Sequence, residues 1–224
     1  MPKRPVSRGT CAYCKKTYAK SGMSRHLKAC KARKAAIAGQ APETRLFHLV
    51  VEGTYNSDYW LHLEVPAAAT LRDLDQFLRD IWLECCGHLS MFRIMDRNFM
   101  STMFDDWYSD DLDMNYELGA VLAPGVQFFH EYDFGTTTHL TLKVVGERMG
   151  TMDEGELVKI MARNEPPDYR CAVCEKAATI VCVFCEYTLL CDEHAEEHEC
   201  GDEGFLPVVN SPRMGMCGYT GDAW

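Results

Sequence analysis

The residues best suited to chemistry are the thiols and imidazoles: twelve Cys and eight His in a 224-residue chain. Three Cys lie between positions 11 and 30, seven between 171 and 217, and only Cys85 and Cys86 fall between these groups. The opening MPKRPVSRGTC is basic but is followed by no apolar segment, so no signal peptide is expected. No apolar run approaches the roughly 18–20 residues that span a bilayer. The expected location is therefore the cytoplasm, without membrane attachment. A reducing compartment disfavours disulfides, so clustered Cys and His read as metal ligands.

The first cluster, Cys11-x2-Cys14-x11-His26-x3-Cys30, is close to zinc-finger spacing with Cys as the last ligand. The interval between the pairs is one residue short of the usual twelve. Tyr18 and Met23 occupy the small-core positions between the pairs. Such a ββα module has too little apolar core to fold unaided, so zinc supplies the stabilisation. Its short strands are expected to carry the two Cys. Its helix is expected to present His26 and Cys30, four residues apart, on one face.

The second cluster places Cys171, Cys174, Cys182, Cys185, Cys191, His194, His198 and Cys200 within thirty residues. Cys217 is a further candidate for the eighth ligand. One pairing is sequential: four Cys on one metal, then Cys191, His194, His198 and Cys200 on the other. His194 and His198 share a helical face, which favours it. Four protein ligands per zinc leave no open position for water, so the sites read as structural. Twelve ligands in all predict about three zinc ions per chain. Cys85 and Cys86, at the end of an apolar helix stripe, read as core packing.

These ligands need elements to hold them. Thr70 with Asp73 predicts a capping box. Leu71, Leu74, Phe77, Leu78, Ile81 and Trp82 recur at helical spacing, and Gly87 ends that helix. RLFHLVVEG and YWLHLEV (59–65) read as strands, the latter with Tyr59, Leu61, Leu63 and Val65 on one face and Trp60, His62 and Glu64 on the other. SMFRIMD (90–96) is another strand. Residues 126–135 and 138–147 form a hairpin, and 156–164 a last strand before Pro166-Pro167. The tail from Leu206 reads as irregular structure. The fold class is α+β, a curved, partly open antiparallel sheet packed on helices. A ββα finger and arm (1–40) and a zinc-stapled module and tail (168–224) flank the central domain (44–165), with AAIAGQAPE (35–43) as a tether.

Two stretches resemble known families. LRDLDQFLRDIW, HLSMFRI and LGAVLAPGVQFFHEYDFG resemble the Ri-plasmid open-reading-frame-three-like family, whose members also occur as resolvase-labelled passengers of insertion elements. Its most specific piece is Tyr132-Asp133-Phe134-Gly135. The chain then departs from the family with Thr136-Thr137-Thr138. The resemblance implies the compact α+β domain and a link to plasmids and mobile elements, but no settled reaction. The run CVFCEYTLLCDEHAEEH resembles the B-box zinc domain. That resemblance implies interleaved pairing: Cys171, Cys174, Cys191 and His194 on one zinc, and Cys182, Cys185, His198 and a final ligand, Cys200 or Cys217, on the other.

Charge separates the ends of the chain. Residues 1–40 contain eleven Lys or Arg and no Asp or Glu, whereas the remainder holds twelve basic against 33 acidic residues. Such asymmetry suggests a basic nucleic-acid-binding arm on an acidic body. Lys15, Lys16, Lys20, Arg25, Lys28, Lys31, Arg33 and Lys34 are the expected phosphate-binding set, with DNA ranked ahead of RNA. The acidic C-terminal module, with Asp192, Glu193, Glu196, Glu197, Glu199, Asp202 and Glu203, suits a protein partner or a lid. The candidates for catalysis are His88, His130, Glu131, Asp133 and His139. His130 and Glu131 point to opposite faces of one strand, and Asp133 shapes a turn. No nucleophile–base constellation stands out, so the sequence points to a zinc-binding, nucleic-acid-associated protein rather than an enzyme. The alternatives are a protein–protein adaptor, or a metal-dependent nuclease or recombination accessory using the acidic loop at 105–117.

Overall fold

A computed structural model of the chain describes residues 6–102 and 110–221. The chain divides into two compact units. The first comprises residues 1–77 and 89–165, the second residues 78–88 and 166–224.

The first unit is α+β, built on one large, mostly antiparallel sheet. Along the chain come β1 (Arg8–Cys11), β2 (Thr17–Ala19), α1 (Lys20–Ala29), α2 (Lys31–Ile37), β3 (Thr44–Gly53) and β4 (Trp60–Pro66). Then follow α3 (Leu71–Leu78), β5 (Ser90–Ile94), β6 (Arg97–Met100), β7 (Leu112–Asp113), α4 (Leu118–Val121), β8 (Gln127–Tyr132), β9 (Thr138–Gly150) and β10 (Lys159–Asn164). The strand order is β2-β1-β10-β4-β3-β9-β8-β5-β6-β7. The pairings are antiparallel except for β6 with β7, which is parallel.

Local chemistry explains the main elements. Thr70 N donates to Asp73 Oδ2 (2.7 Å) and Asp73 N donates to Thr70 Oγ1 (3.2 Å), the reciprocal cap the sequence predicts for α3. Asp133 adopts φ +65° and its Oδ1 accepts from Gly135 N at 3.0 Å. That turn joins β8 to β9, whose register runs from Gln127↔Lys143 to Tyr132↔Thr138. The predicted last strand is not at an edge: β10 lies between β1 and β4.

The finger hairpin belongs to this same sheet. β1 pairs with β10 through Gly9↔Asn164 and Cys11↔Ala162. Gly9 is required there, because a Cβ would run into the Arg163 carbonyl and the Trp60 ring. Met23 and Leu27 of α1 are fully buried in one cluster with Trp60, Met161 and Ala162. This explains why β4 is buried on both faces: the side bearing Trp60, His62 and Glu64 lies beneath the finger. An alternating strand read from sequence as one-sided therefore carries two cores.

A buried ion cluster ties α2 down as well. Glu64 receives Arg33 Nη2 at 2.8 Å and Arg148 through Nε (2.8 Å) and Nη2 (2.5 Å), while Arg148 also donates to Gln40 Oε1 at 2.9 Å. The Glu64 side chain is 2% exposed. The stretch read as a tether, 35–43, is thus held at Gln40, and Arg33 is fixed just before it.

Burial alone would raise the Glu64 carboxyl, but the hydrogen bonds and charges of Arg148 and Arg33 hold it below its ordinary value. The stability it contributes is complete above the ordinary carboxylate range and is lost as pH falls through the depressed value. Glu64→Gln leaves two cations without their carboxylate, and denaturant unfolding at pH 7 should show a loss of about 3–5 kcal/mol. A loss below about 1 kcal/mol would show that the cluster does not anchor α2.

Candidate metal centres

In the second unit, β11 (Ile180–Cys182), β12 (Thr188–Leu190) and β13 (Phe205–Pro207) form a small sheet in the order β12-β11-β13, with α5 (Asp192–Glu196) following β12. Its buried cluster consists of Cys171, Cys182, Leu190, Cys191 and Ala195. That cluster is poor in hydrocarbon, although Ile81, Trp82, Leu83, Val181 and Tyr219 of the same unit are buried as well.

Four groups of side chains among the described residues could hold a metal ion, each with its donor atoms within 4.8 Å of one another. They are Cys11, Cys14, His26 and Cys30; Cys171, Cys174, Cys191 and His194; Cys182, Cys185, His198 and Cys200; and Cys85, Cys86, His88 and Cys217. Each offers three sulfurs and one nitrogen. Tetrahedral zinc with ordinary bond lengths would place neighbouring sulfurs roughly 3.8 Å apart and sulfur roughly 3.6 Å from nitrogen. The second group matches closely. Cys174 and Cys191 sulfurs are 3.8 Å apart, and His194 Nδ1 lies 3.5, 3.6 and 3.2 Å from Cys171, Cys174 and Cys191.

Backbone turns build these groups. After Cys14 the chain turns left-handed at Lys15 (φ +57°), whose N donates to the Cys11 carbonyl at 2.9 Å. After Cys185, Glu186 and Tyr187 do the same, at φ +51° and +62°. Burial opposes ionisation of Cys171, yet the backbone amides of Val173, Cys191 and Cys174 bring its thiol down to about 6. That favours the thiolate, the ligating form. His26, stacked on Tyr18 with ring centroids 3.7 Å apart, is pushed down by burial and by Lys16, which keeps the ring neutral for ligation. His198 Nε2 is buried with no hydrogen-bond partner among the described residues, and a nitrogen of that ring faces three thiols. Metal coordination would satisfy such a ring.

The grouping is interleaved, with Cys200 rather than Cys217 completing the set of Cys182, Cys185 and His198. Two expectations need correction. Helix α1 stops at Ala29, so Cys30 sits beyond it in extended conformation rather than on its face. Cys85 and Cys86 are not core residues: Cys86 is exposed, and both join His88 and Cys217. The groups among the described residues therefore number four, against the three expected. The signal for the fourth was the pattern Cys-Cys-x-His, but its last member lies more than a hundred residues away.

The basic residues divide. Lys15, Lys16, Arg25, Lys28, Lys31 and Lys34 are exposed and take part in no ion pair among the described residues. Arg33 is committed to Glu64, and Lys20 bonds Glu52 and the Ser57 carbonyl. The seven C-terminal acidic residues are all exposed, with Glu193 paired to Lys176 at 2.6 Å.

The other candidate catalytic groups divide between the core and the surface, where Glu131 and His139 line a pocket with Tyr55, Arg93 and Phe129. His130 Nε2 meets Asp75 Oδ1 at 2.6 Å, and both side chains are sealed from solvent. Glu131 pairs with Arg93 and faces His139 Nδ1 at 3.7 Å. Of the acidic loop, Asp105 and Asp106 lie outside the described residues. Asp111 accepts from Asn98 at 3.2 Å, and Asp113 from Asn115 N at 2.7 Å. His48 and His62, which sequence reading did not single out, meet at 2.8 Å, and burial first of all pushes both down to about 3.

No family model matches the chain, and no curated protein matches it. Among solved structures it is similar to MM3350, a protein of unknown function from Methanosarcina mazei Go1. Identity is 15% over 54% of this chain and 70% of that one, with a TM-score of 0.47. No helix among the described residues is long and apolar enough to cross a membrane.

The interleaved arrangement makes the start of the second unit depend on its middle. Cys171→Ser should remove one metal equivalent and speed amide exchange at residues 190–195 by more than about tenfold, since that segment would then open locally. One equivalent lost with exchange unchanged there would instead favour sequential pairing.

Proposed function

We propose that the protein is a zinc-scaffolded, non-enzymatic binding protein that engages nucleic acid through its finger. The observation that carries this reading is the set of six exposed cations, Lys15, Lys16, Arg25, Lys28, Lys31 and Lys34, on a segment with no acidic residue. Phosphate backbones are the natural partner for that charge density.

Zinc is the metal that suits three thiolates and an imidazole in a reducing setting. In the finger and in the two C-terminal groups it would be structural, since four protein donors leave no position for a reacting water. The chemistry it supplies is ligation alone. The protein's own residues do the rest: Arg33 and Glu64 hold α2 in place, leaving Lys31 and Lys34, three residues apart, to share one helical face.

One finger reads about three base pairs, so binding should be largely independent of sequence. DNA fits the plasmid and mobile-element connection that residues 44–165 suggest, and RNA is the other outcome. The exposed acidic surface around α5 repels nucleic acid and suits a protein partner, which keeps the adaptor reading as the second choice.

The test is salt dependence. Replacing Lys28, Lys31 and Lys34 with Ala should weaken binding to a DNA duplex. It should also reduce the slope of log affinity against log salt by roughly 3, about 0.9 for each phosphate left without its cation. Binding that is absent in the wild type, or insensitive to salt and to these substitutions, would reject the nucleic-acid reading in favour of the adaptor.

A further inference from the structure

We propose that Cys85, Cys86, His88 and Cys217 form a fourth zinc site, exposed and exchangeable, that clasps the C-terminal tail to the end of the helical segment Arg79–Leu83 of the same unit. The donors converge as a coordination shell does. Cys86 Sγ lies 3.6 Å from Cys85 Sγ, 3.8 Å from Cys217 Sγ and 2.9 Å from His88 Nε2, and His88 Nε2 lies 3.2 Å from Cys217 Sγ. The sulfur–sulfur lengths match the edges of a tetrahedron around zinc, and the sulfur–nitrogen lengths lie inside it, so the donors are already gathered closely enough to share one ion.

The surroundings suit a metal too. Three thiolates and a divalent ion leave one surplus negative charge. Arg213 supplies the counter-charge: its side chain is fully buried and its Nη2 donates to Cys85 Sγ at 3.3 Å. Partners of this outer kind orient ligands and favour their ionised form.

The tail is then tied along its length. Trp82 Nε1 donates to the Asn210 carbonyl at 3.1 Å, and Ser211 Oγ donates to the Trp82 carbonyl at 2.6 Å. Arg213 N donates to Ser211 Oγ at 2.9 Å. Two further contacts set His88: its carbonyl accepts from Arg79 Nη2 at 2.8 Å, and Gly87 N donates to Glu84 Oε1 at 2.5 Å. Cys217 itself is held left-handed (φ +48°), which is uncommon for a residue with a side chain and aims its sulfur at this group.

Exposure distinguishes this site from the other three. Each of those includes at least one buried Cys, whereas here Cys86 and Cys217 are exposed and neither of the remaining donors is buried. An incoming chelator can reach two of the sulfurs directly, so this ion should leave first.

The test uses the full-length protein purified under reducing conditions. Elemental analysis should give about four zinc ions per chain, and three in both Cys217→Ala and His88→Asn, four donors being the full set for each ion. A colorimetric chelator should release one zinc at least about tenfold faster than the rest, and this fast phase should vanish in both variants. The His88 variant covers the case in which the Cys217 variant does not fold. Three zinc ions in the wild type, unchanged in both variants, would overturn the proposal while leaving the other three sites standing. So would a Cys86–Cys217 disulfide found by mass in the reduced preparation.

Discussion

Thiolates within 4.8 Å of one another repel unless a divalent cation takes up their charge, and four times among the described residues three cysteine sulfurs are gathered that closely with an imidazole. The crowding is visible in Cys86 and Cys200. Hydrogen bonding to Cys85 above all raises the first to about 12, and hydrogen bonding to Cys185 does the same for the second. With metal bound as proposed, coordination would turn that repulsion into a cohesive force in the regions that hold the sulfurs. The region around β11, β12 and α5 would depend on it most, because Cys side chains make up much of its buried cluster. The first unit depends on it least, because Phe47, Phe92, Phe99, Phe128 and Leu142 give its sheet a hydrocarbon core of its own.

The finger stands between these cases. Cys11, Cys14, His26 and Cys30 shape its turn and its helix, but Met23 and Leu27 find their apolar partners in Trp60 and Met161 of the large sheet. Arg33 then fixes the next helix through Glu64. One consequence is orientation: the finger's cations are displayed on a surface held by strand pairing from β1 to β10, not on a freely hinged arm. A rigidly held basic face loses less freedom on meeting a polyanion.

Much of this was legible in the sequence because the signals are local. Thr70 and Asp73 announce their cap, Asp133 and Gly135 their turn, and each Cys-x2-Cys pair its knuckle. What was not legible depends on distance along the chain. Nothing in the alternation of β4 reveals that Trp60, His62 and Glu64 lie beneath another element, since the elements covering them come from residues 8–37. Cys85 and Cys86 read as the end of an apolar stripe because their partner is Cys217. The same separation hid the choice between Cys200 and Cys217. Local spacing offered both, and only the fold gives each its own group. Arg33 and Lys20 looked like phosphate ligands for the same reason, their acidic partners Glu64 and Glu52 lying far along the chain.

The central claim, on the proposed reading, is that metal coordination more than hydrocarbon packing holds the Cys-rich part of the second unit, around β11, β12 and α5, together. It is tested most directly by amide hydrogen exchange across the whole chain before and after stripping metal with a strong chelator under reducing conditions. Residues 166–221, including β11, β12 and α5, should lose protection together, while β3, β4, β8 and β9 keep theirs. Protection of β11 and β12 that survives in fully metal-free protein would contradict the account.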